Sequence, residues 1–176
     1  MLDVAVAYNR YKFLGNEFLT WLWFIIDVHP ECLKTIDESI FSISIGNRLV
    51  LENTATNASE RITIKGDDAG LEEGFLALQK GAVVVEMSLV YKTQDEKEWK
   101  FSLKGESMAF STLKLPQETG KMESRDDVEG AFLEKVYFYE KVIQLIQGLF
   151  FLFLKTKASS DWSTSTIKEI KTWMKA

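Results

Sequence analysis

The chain has one histidine and one cysteine, and His29 and Cys32 are spaced so that both could bind one metal ion. A structural zinc site takes four protein ligands and a catalytic zinc site usually takes three, so carboxylates would have to supply the rest. A turn at a helix end is the simpler interpretation, because Pro30 lies between the two residues. Serine or cysteine catalysis would also need His29, and no serine has the context of a nucleophile elbow. We therefore expect no enzyme, no catalytic residue, no metal and no cofactor.

A cluster of carboxylates is the second candidate for chemistry. Asp67, Asp68, Glu72 and Glu73 could bind magnesium as the acids of a nuclease do, which makes a metal-dependent nuclease one alternative. Acidic residues are also favoured in the first turn of a helix, where they face the positive end of the helix dipole. We favour this second explanation. The glycines between Gly66 and Gly74 lack the Lys-Ser/Thr ending of a phosphate-binding loop.

Cations are concentrated at the C-terminal end of an otherwise acidic chain. The net charge is -5, and the segment from residue 155 onward contains five lysines and two acids. Phosphate binding depends on local cations rather than on the net charge of the protein. The candidate phosphate contacts for DNA are therefore the lysines of this segment: Lys155, Lys157, Lys168, Lys171 and Lys175.

The N-terminal part predicts a buried helix over residues 8–28. Its apolar residues recur at helical spacing, and Trp21, Trp23 and Phe24 add apolar surface on its other sides. A helix that is apolar nearly all round must be covered on several sides. The run from Phe18 to Ile26 is much shorter than the roughly 20 residues that cross a bilayer, so we expect a core helix and no membrane segment.

The middle of the chain alternates between apolar and polar residues, which is typical of strands. Gly46-Asn47 interrupts the first alternating run and predicts a hairpin there. A short amphipathic helix with Leu71, Phe75 and Leu78 on one face is expected to end at Gly81. The predicted strands are residues 41–45, 48–51, 61–65, 83–91, 99–103 and 108–113.

The C-terminal part predicts a long helix over residues 128–157 and a last helix capped by Ser160 or Asp161. The long helix carries an apolar stripe in its first half and six consecutive apolar residues, 149–154, in its second. These elements predict one α+β domain spanning residues 1–176. Its sheet is mixed, mainly antiparallel and built from two meanders, and it carries a buried N-terminal helix, a short middle helix and a long C-terminal helix pair.

An ordered series of motifs runs along nearly the whole chain: residues 13–23 (FLGNEFLTWLW), Arg48 to Glu52 (RLVLE), Trp99 with Phe101 and Leu103, Leu113 to Pro116 (LKLP), and Trp162 with Trp173. In this order the motifs resemble those of short bacterial proteins classed with the recombination-associated protein RdgC family. The resemblance implies a bacterial cytoplasmic or nucleoid protein that binds DNA without strong sequence preference and modulates RecA-dependent recombination. It also implies a homodimer.

These observations lead to one expected function and one alternative. We expect an RdgC-like DNA-associated protein with no small-molecule substrate. A cytoplasmic, nucleoid-associated location is expected, since a lone cysteine cannot form an internal disulfide and the chain opens with an acid, Asp3. The alternative is a protein-interaction or oligomerisation module that binds no nucleic acid, based on the apolar segments Trp21 to Ile26 and Leu149 to Leu154.

Overall fold

The computed structural model describes residues 13–53, 60–66, 70–116 and 125–175. The predicted α+β class is confirmed, with one five-stranded antiparallel sheet and several helices. The helices are α1 (Phe13–Val28), α2 (Gly70–Gln79), α3 (Arg125–Ala158) and α4 (Ile167–Trp173), and the strands are β1 (Ile40–Asn53), β2 (Glu60–Lys65), β3 (Val83–Thr93), β4 (Glu98–Lys104) and β5 (Phe110–Lys114). A short 3₁₀ helix, Pro30–Thr35, follows α1.

The sheet has the strand order β2-β1-β3-β4-β5, and every neighbouring pair is antiparallel. α2 connects β2 to β3 across β1, while short turns join β3, β4 and β5. α2 ends at Gln79, and the predicted end signal Gly81 follows it with a φ of 90°, a left-handed conformation that glycine adopts without strain.

The predicted hairpin at Gly46-Asn47 is wrong, because β1 runs without reversal from Ile40 to Asn53. Where Ile45 pairs with Leu89 and Leu49 with Met87, three residues of β1 stand opposite Ser88 alone. Neither Gly46 nor Asn47 has the positive φ that a two-residue hairpin turn of this kind needs. The interruption is therefore a bulge, and the first strand group contains two strands rather than three.

α1 is buried as predicted, and residues 8–12 of the predicted helix lie outside the described residues. Its side chains from Trp21 to Phe24 are at most 2% exposed, and they pack between the sheet and the other helices. At its N-terminal end Gly15 lies so close to the β4–β5 turn that a Cβ atom there would be 1.7 Å from the carbonyl oxygen of Gly105. This contact fixes the distance between α1 and the sheet.

α3 packs along one stripe of its surface, with Phe138 against Trp99 of β4 and Phe153 against Phe18 and Trp21 of α1. The stripe is buried and begins at Phe138, whose carbonyl oxygen accepts a hydrogen bond from Trp99 Nε1 at 3.1 Å. Lys141 Nζ lies 2.8 Å from Asp37 Oδ2 and ties the helix to the segment before β1. The other buried members of the stripe are Val142, Leu145, Ile146, Leu149 and Phe153.

A π-helical segment, Trp162–Thr166, leads into α4. The predicted cap is not formed, since the side chain of Asp161 makes no capping hydrogen bond and Ser160 Oγ donates to Asp161 Oδ1 instead. α4 is instead held from its end, where Trp173 Nε1 donates to Asp27 Oδ2 at 2.6 Å and the Trp173 ring packs against Trp23.

Candidate nucleic-acid interface

The two faces of the sheet have opposite character. One face contributes Ile43, Met87 and Phe101 to the core beneath the helices. Strand alternation places polar residues on the other face, which we call the basic face. Among the described strand residues it carries three carboxylates (Glu52, Glu86, Glu98) and seven cations: Arg48, Arg61, Lys65, Lys92, Lys100, Lys104 and Lys114. A protein of net charge -5 therefore concentrates positive charge on one surface.

A groove of about 540 Å³ crosses the basic face. Its floor is low because Gly46 has no side chain and because Ser88, Ser102 and Thr112 are small. A Cβ atom at Gly46 would lie 3.0 Å from Ser88 Cβ, so a larger residue would crowd the floor. The β1 bulge thus produces the depression in which a ligand can lie.

The floor of the groove is a chain of hydroxyl groups from three neighbouring strands. Thr112 Oγ1 donates to Ser102 Oγ at 3.0 Å, and Ser102 Oγ lies 2.9 Å from Ser88 Oγ. When the Ser102 hydroxyl donates its hydrogen bond to Ser88 Oγ, the Ser88 hydroxyl can donate to a further acceptor. The chain can therefore offer a hydrogen bond to an anionic oxygen in the groove.

Long cationic side chains form the rim. Arg48 stands at one side, while Lys100 and Lys114, paired across β4 and β5, stand at the other. Lys100 Nζ lies 2.9 Å from Glu98 Oε1, and this neighbour lowers the pKa of the Glu98 carboxyl, with Lys92 adding to the effect. In the described part of the chain, no ion pair involves Lys114.

One buried carboxylate lies among these cations. Glu86 is 6% exposed, and its Oε1 accepts a hydrogen bond from Ser111 Oγ at 3.1 Å. The same oxygen is 3.4 Å from Arg48 Nε, and Glu86 Oε2 is 3.8 Å from Arg61. Both distances are long for charge-assisted hydrogen bonds, so the two arginines remain able to bind a second anion.

Hydroxyls, ammonium groups and a guanidinium are the groups that contact phosphate oxygens in complexes with nucleic acids. Aromatic groups, on which unpaired bases stack, are scarce here. Phe41, which is 66% exposed near Lys92, is the one large aromatic side chain exposed on the described strands. The arrangement suits recognition of a phosphate backbone better than recognition of bases.

The predicted C-terminal lysines lie elsewhere, on α3 and α4. Lys157 forms an ion pair with Glu17 and lies 4.9 Å from the Trp162 ring centroid, so it stabilises the packing of α3 against α1. The others are exposed: Lys155 in the last turn of α3, Lys168 and Lys171 one turn apart on α4, and Lys175 after it. The structure leaves these four as a separate candidate surface.

His29 and Cys32, the residues considered for metal chemistry, lie at the start of the 3₁₀ helix. His29 Nδ1 lies 3.2 Å from Glu31 and its Nε2 lies 3.5 Å from Glu169, so the ring bridges the end of α1 and α4. Cys32 is half-buried, and desolvation, with Glu31 adding to it, raises the pKa of its thiol. Among the described residues no three His, Cys, Asp or Glu side chains come together as metal ligands.

Only two of the four residues of the carboxylate cluster belong to the described part of the chain. Glu72 and Glu73 are exposed in the first turn of α2, as a solvated helix start predicts. Asp67 and Asp68 lie outside the described residues.

The two apolar segments behind the oligomerisation alternative have different environments. The α1 segment, Trp21 to Ile26, is covered by the core. In α3 the buried residues Leu149 and Phe153 alternate with Phe151, which is 70% exposed. Only the α3 segment still offers apolar surface to a partner.

The groove residues were not identified as a site from the sequence. Their signal is the alternation of Lys100, Ser102 and Lys104 with the apolar residues of β4. That alternation shows that the residues share a face, but it does not show which strands lie beside them. The strand order and the β1 bulge were needed to bring Arg48 opposite Lys114.

Neither a family model nor a curated protein matches the chain.

Proposed function

We propose that the protein is a non-enzymatic DNA-associated protein that binds the phosphate backbone through the groove of the basic face. The observation that carries the proposal is the excess of cations over carboxylates around a hydroxyl-lined groove, in a chain that is acidic overall. Because backbone contacts carry no sequence information, binding is indifferent to sequence. The exposed C-terminal lysines form a secondary surface.

The RdgC-like order of motifs supports placing this activity in RecA-dependent recombination, at the bacterial nucleoid in the cytoplasm. The proposal needs no cofactor and no small-molecule substrate. The alternative is a protein-interaction module that binds no nucleic acid. It predicts that DNA binds neither the basic face nor the C-terminal lysines.

A titration of a fluorescently labelled duplex at low salt separates these possibilities. The groove variant replaces two rim lysines (Lys100→Gln with Lys114→Gln), and the matched control makes the same change on α4 (Lys168→Gln with Lys171→Gln). Both variants remove two positive charges, so a difference between them reports position rather than net charge. We expect the groove variant to lose roughly tenfold or more in affinity and the control much less.

Three results would count against the proposal. Absence of binding by the unaltered protein at micromolar concentration would reject DNA association. Loss confined to the α4 variant would move the site to the C-terminal helices. Cleavage of the duplex in magnesium would favour the nuclease alternative with Glu72 and Glu73.

A further inference from the structure

α3 exposes a broad apolar face that no described element covers. The buried stripe of α3 packs on α1 and on Trp99 of β4, and a different side of the helix carries large apolar residues. Phe132 and Leu133 are each 66% exposed and Phe151 is 70% exposed. The remaining exposed apolar side chains of α3 are Val128, Val136, Tyr137, Tyr139, Ile143 and Leu154. An apolar face of this length is typical of an interaction surface.

The exposed face has the same residue arrangement in its two halves. Leu133 and Phe151 are 18 residues apart, and so are Val136 and Leu154. Eighteen residues are five full turns at about 3.6 residues per turn, so each pair lies on one line along the helix. A second α3 laid antiparallel would place the Leu133 region of each copy against the Phe151 region of the other, which is the isologous contact of a two-fold dimer.

Charge supports the same antiparallel arrangement. The exposed Asp126 lies in the first turn of α3, and the exposed Lys155 lies in its last turn. Antiparallel pairing brings the acidic start of one helix beside the basic end of the other, and it also aligns the two helix dipoles favourably. A parallel pair would place like charges together at both ends.

We propose that α3 pairs antiparallel with α3 of a second copy of this chain. The pairing buries the exposed apolar face of both copies and leaves the basic face of each sheet on a different side of the molecule. It does not depend on DNA binding, since none of the groove residues belongs to α3.

The first test measures molar mass by light scattering during size-exclusion chromatography at tens of micromolar protein. The unaltered chain is expected at the mass of a dimer, and the variant with Phe132→Glu and Phe151→Glu at that of a monomer. Phe41→Glu is the matched control, because Phe41 is as exposed as Phe132 but lies on β1, and it is expected to remain a dimer. A monomeric unaltered chain, or a dimer that the α3 variant leaves intact, overturns the proposal.

The second test measures orientation by disulfide trapping in a Cys32→Ser background. Leu133→Cys and Phe151→Cys proteins are oxidised separately and as a mixture. Antiparallel pairing predicts cross-linking chiefly in the mixture, between the two different variants. Efficient cross-linking of the Leu133→Cys protein with itself indicates a parallel pair and overturns the proposal.

A bilayer is the competing occupant, because the described segment Val128–Ala158 has the length and composition of a membrane-spanning helix. Flotation with vesicles of zwitterionic and of anionic lipid distinguishes the two. The proposal predicts that the dimer does not float with either kind of vesicle and remains in the lower fractions of the gradient. A monomer that floats with the vesicles through the Phe132 and Phe151 face overturns it.

Discussion

At the scale of single residues, buried and half-buried acids hold cations in defined positions. Glu86 does so on the basic face, where Arg48 and Arg61 flank it at distances that leave both guanidinium groups able to reach another anion. Asp37 does so at the edge of the core, where it accepts from Lys141. The first pair of contacts serves the candidate site, and the second fixes a helix.

The Asp37–Lys141 pair makes part of the stability depend on pH. Hydrogen bonds from Lys141 and Ser39 lower the pKa of Asp37 from 3.8 to about 2. Because the folded pKa lies below the unfolded one, the contribution is complete above about pH 4 and is lost as the pH falls toward 2. We expect Asp37→Asn to cost about 1 kcal/mol at neutral pH, a value kept small because the carboxylate is one-third exposed and screened by water.

Urea unfolding of Asp37→Asn, Lys141→Met and the double variant at pH 7 and near pH 3 measures this coupling. The coupling energy should be smaller at the lower pH. A coupling that is equal at the two pH values, or that grows as the pH falls, would show that the ion pair is not its source.

At the scale of elements, close backbone approach decides how α1 lies on the sheet. We expect Gly15→Ala to destabilise the fold by about 3 kcal/mol or more, because its Cβ would collide with the Gly105 carbonyl oxygen, a backbone atom that cannot rotate away. Gly130→Ala is the matched control in another helix. Nothing lies within 4 Å of a Cβ there, and alanine should stabilise α3 by up to about 1 kcal/mol.

Thermal unfolding of both variants checks this pair of predictions. Equal effects of the two substitutions would mean that helix propensity, rather than the contact between Gly15 and Gly105, determines the result.

Most elements could be predicted because their periodicity is local. The alternation in β3 and β4 and the all-round apolar character of α1 predicted a strand pair and a buried helix correctly. Gly46-Asn47 misled because the residues of a turn and those of a bulge are alike, and only the pairing of β1 with β3 distinguishes them. The stripe Phe132, Val136, Tyr139 and Ile143 has core spacing, yet the structure exposes it and buries Phe138 and Val142. α3 carries two apolar stripes, and periodicity alone does not say which one packs into the core.

At the scale of the whole molecule, positive and negative charges are distributed unevenly over the surface. The basic face belongs to a chain of net charge -5, so the remainder of the chain carries more acids than cations. Such a distribution repels a polyanion from acidic surfaces and steers it toward basic ones, of which the basic face is the larger candidate. Composition could predict a local cationic surface for DNA, but not which one. The C-terminal lysines lie within one short segment of the sequence and so form a recognisable cluster. The groove cations come from separate strands, and the sequence does not show that they are neighbours.

The salt dependence of DNA affinity tests the central claim most directly. Each phosphate neutralised on duplex DNA contributes about -0.9 to the slope of log affinity against log salt concentration. The unaltered protein should show a steep fall between about 50 and 200 mM salt, and removal of Lys100 and Lys114 should make the slope shallower by roughly 1.8. The same change at Lys168 and Lys171 should alter the slope less. An affinity that is independent of salt, or a slope that the groove variant leaves unchanged, would contradict the assignment of the groove to phosphate binding.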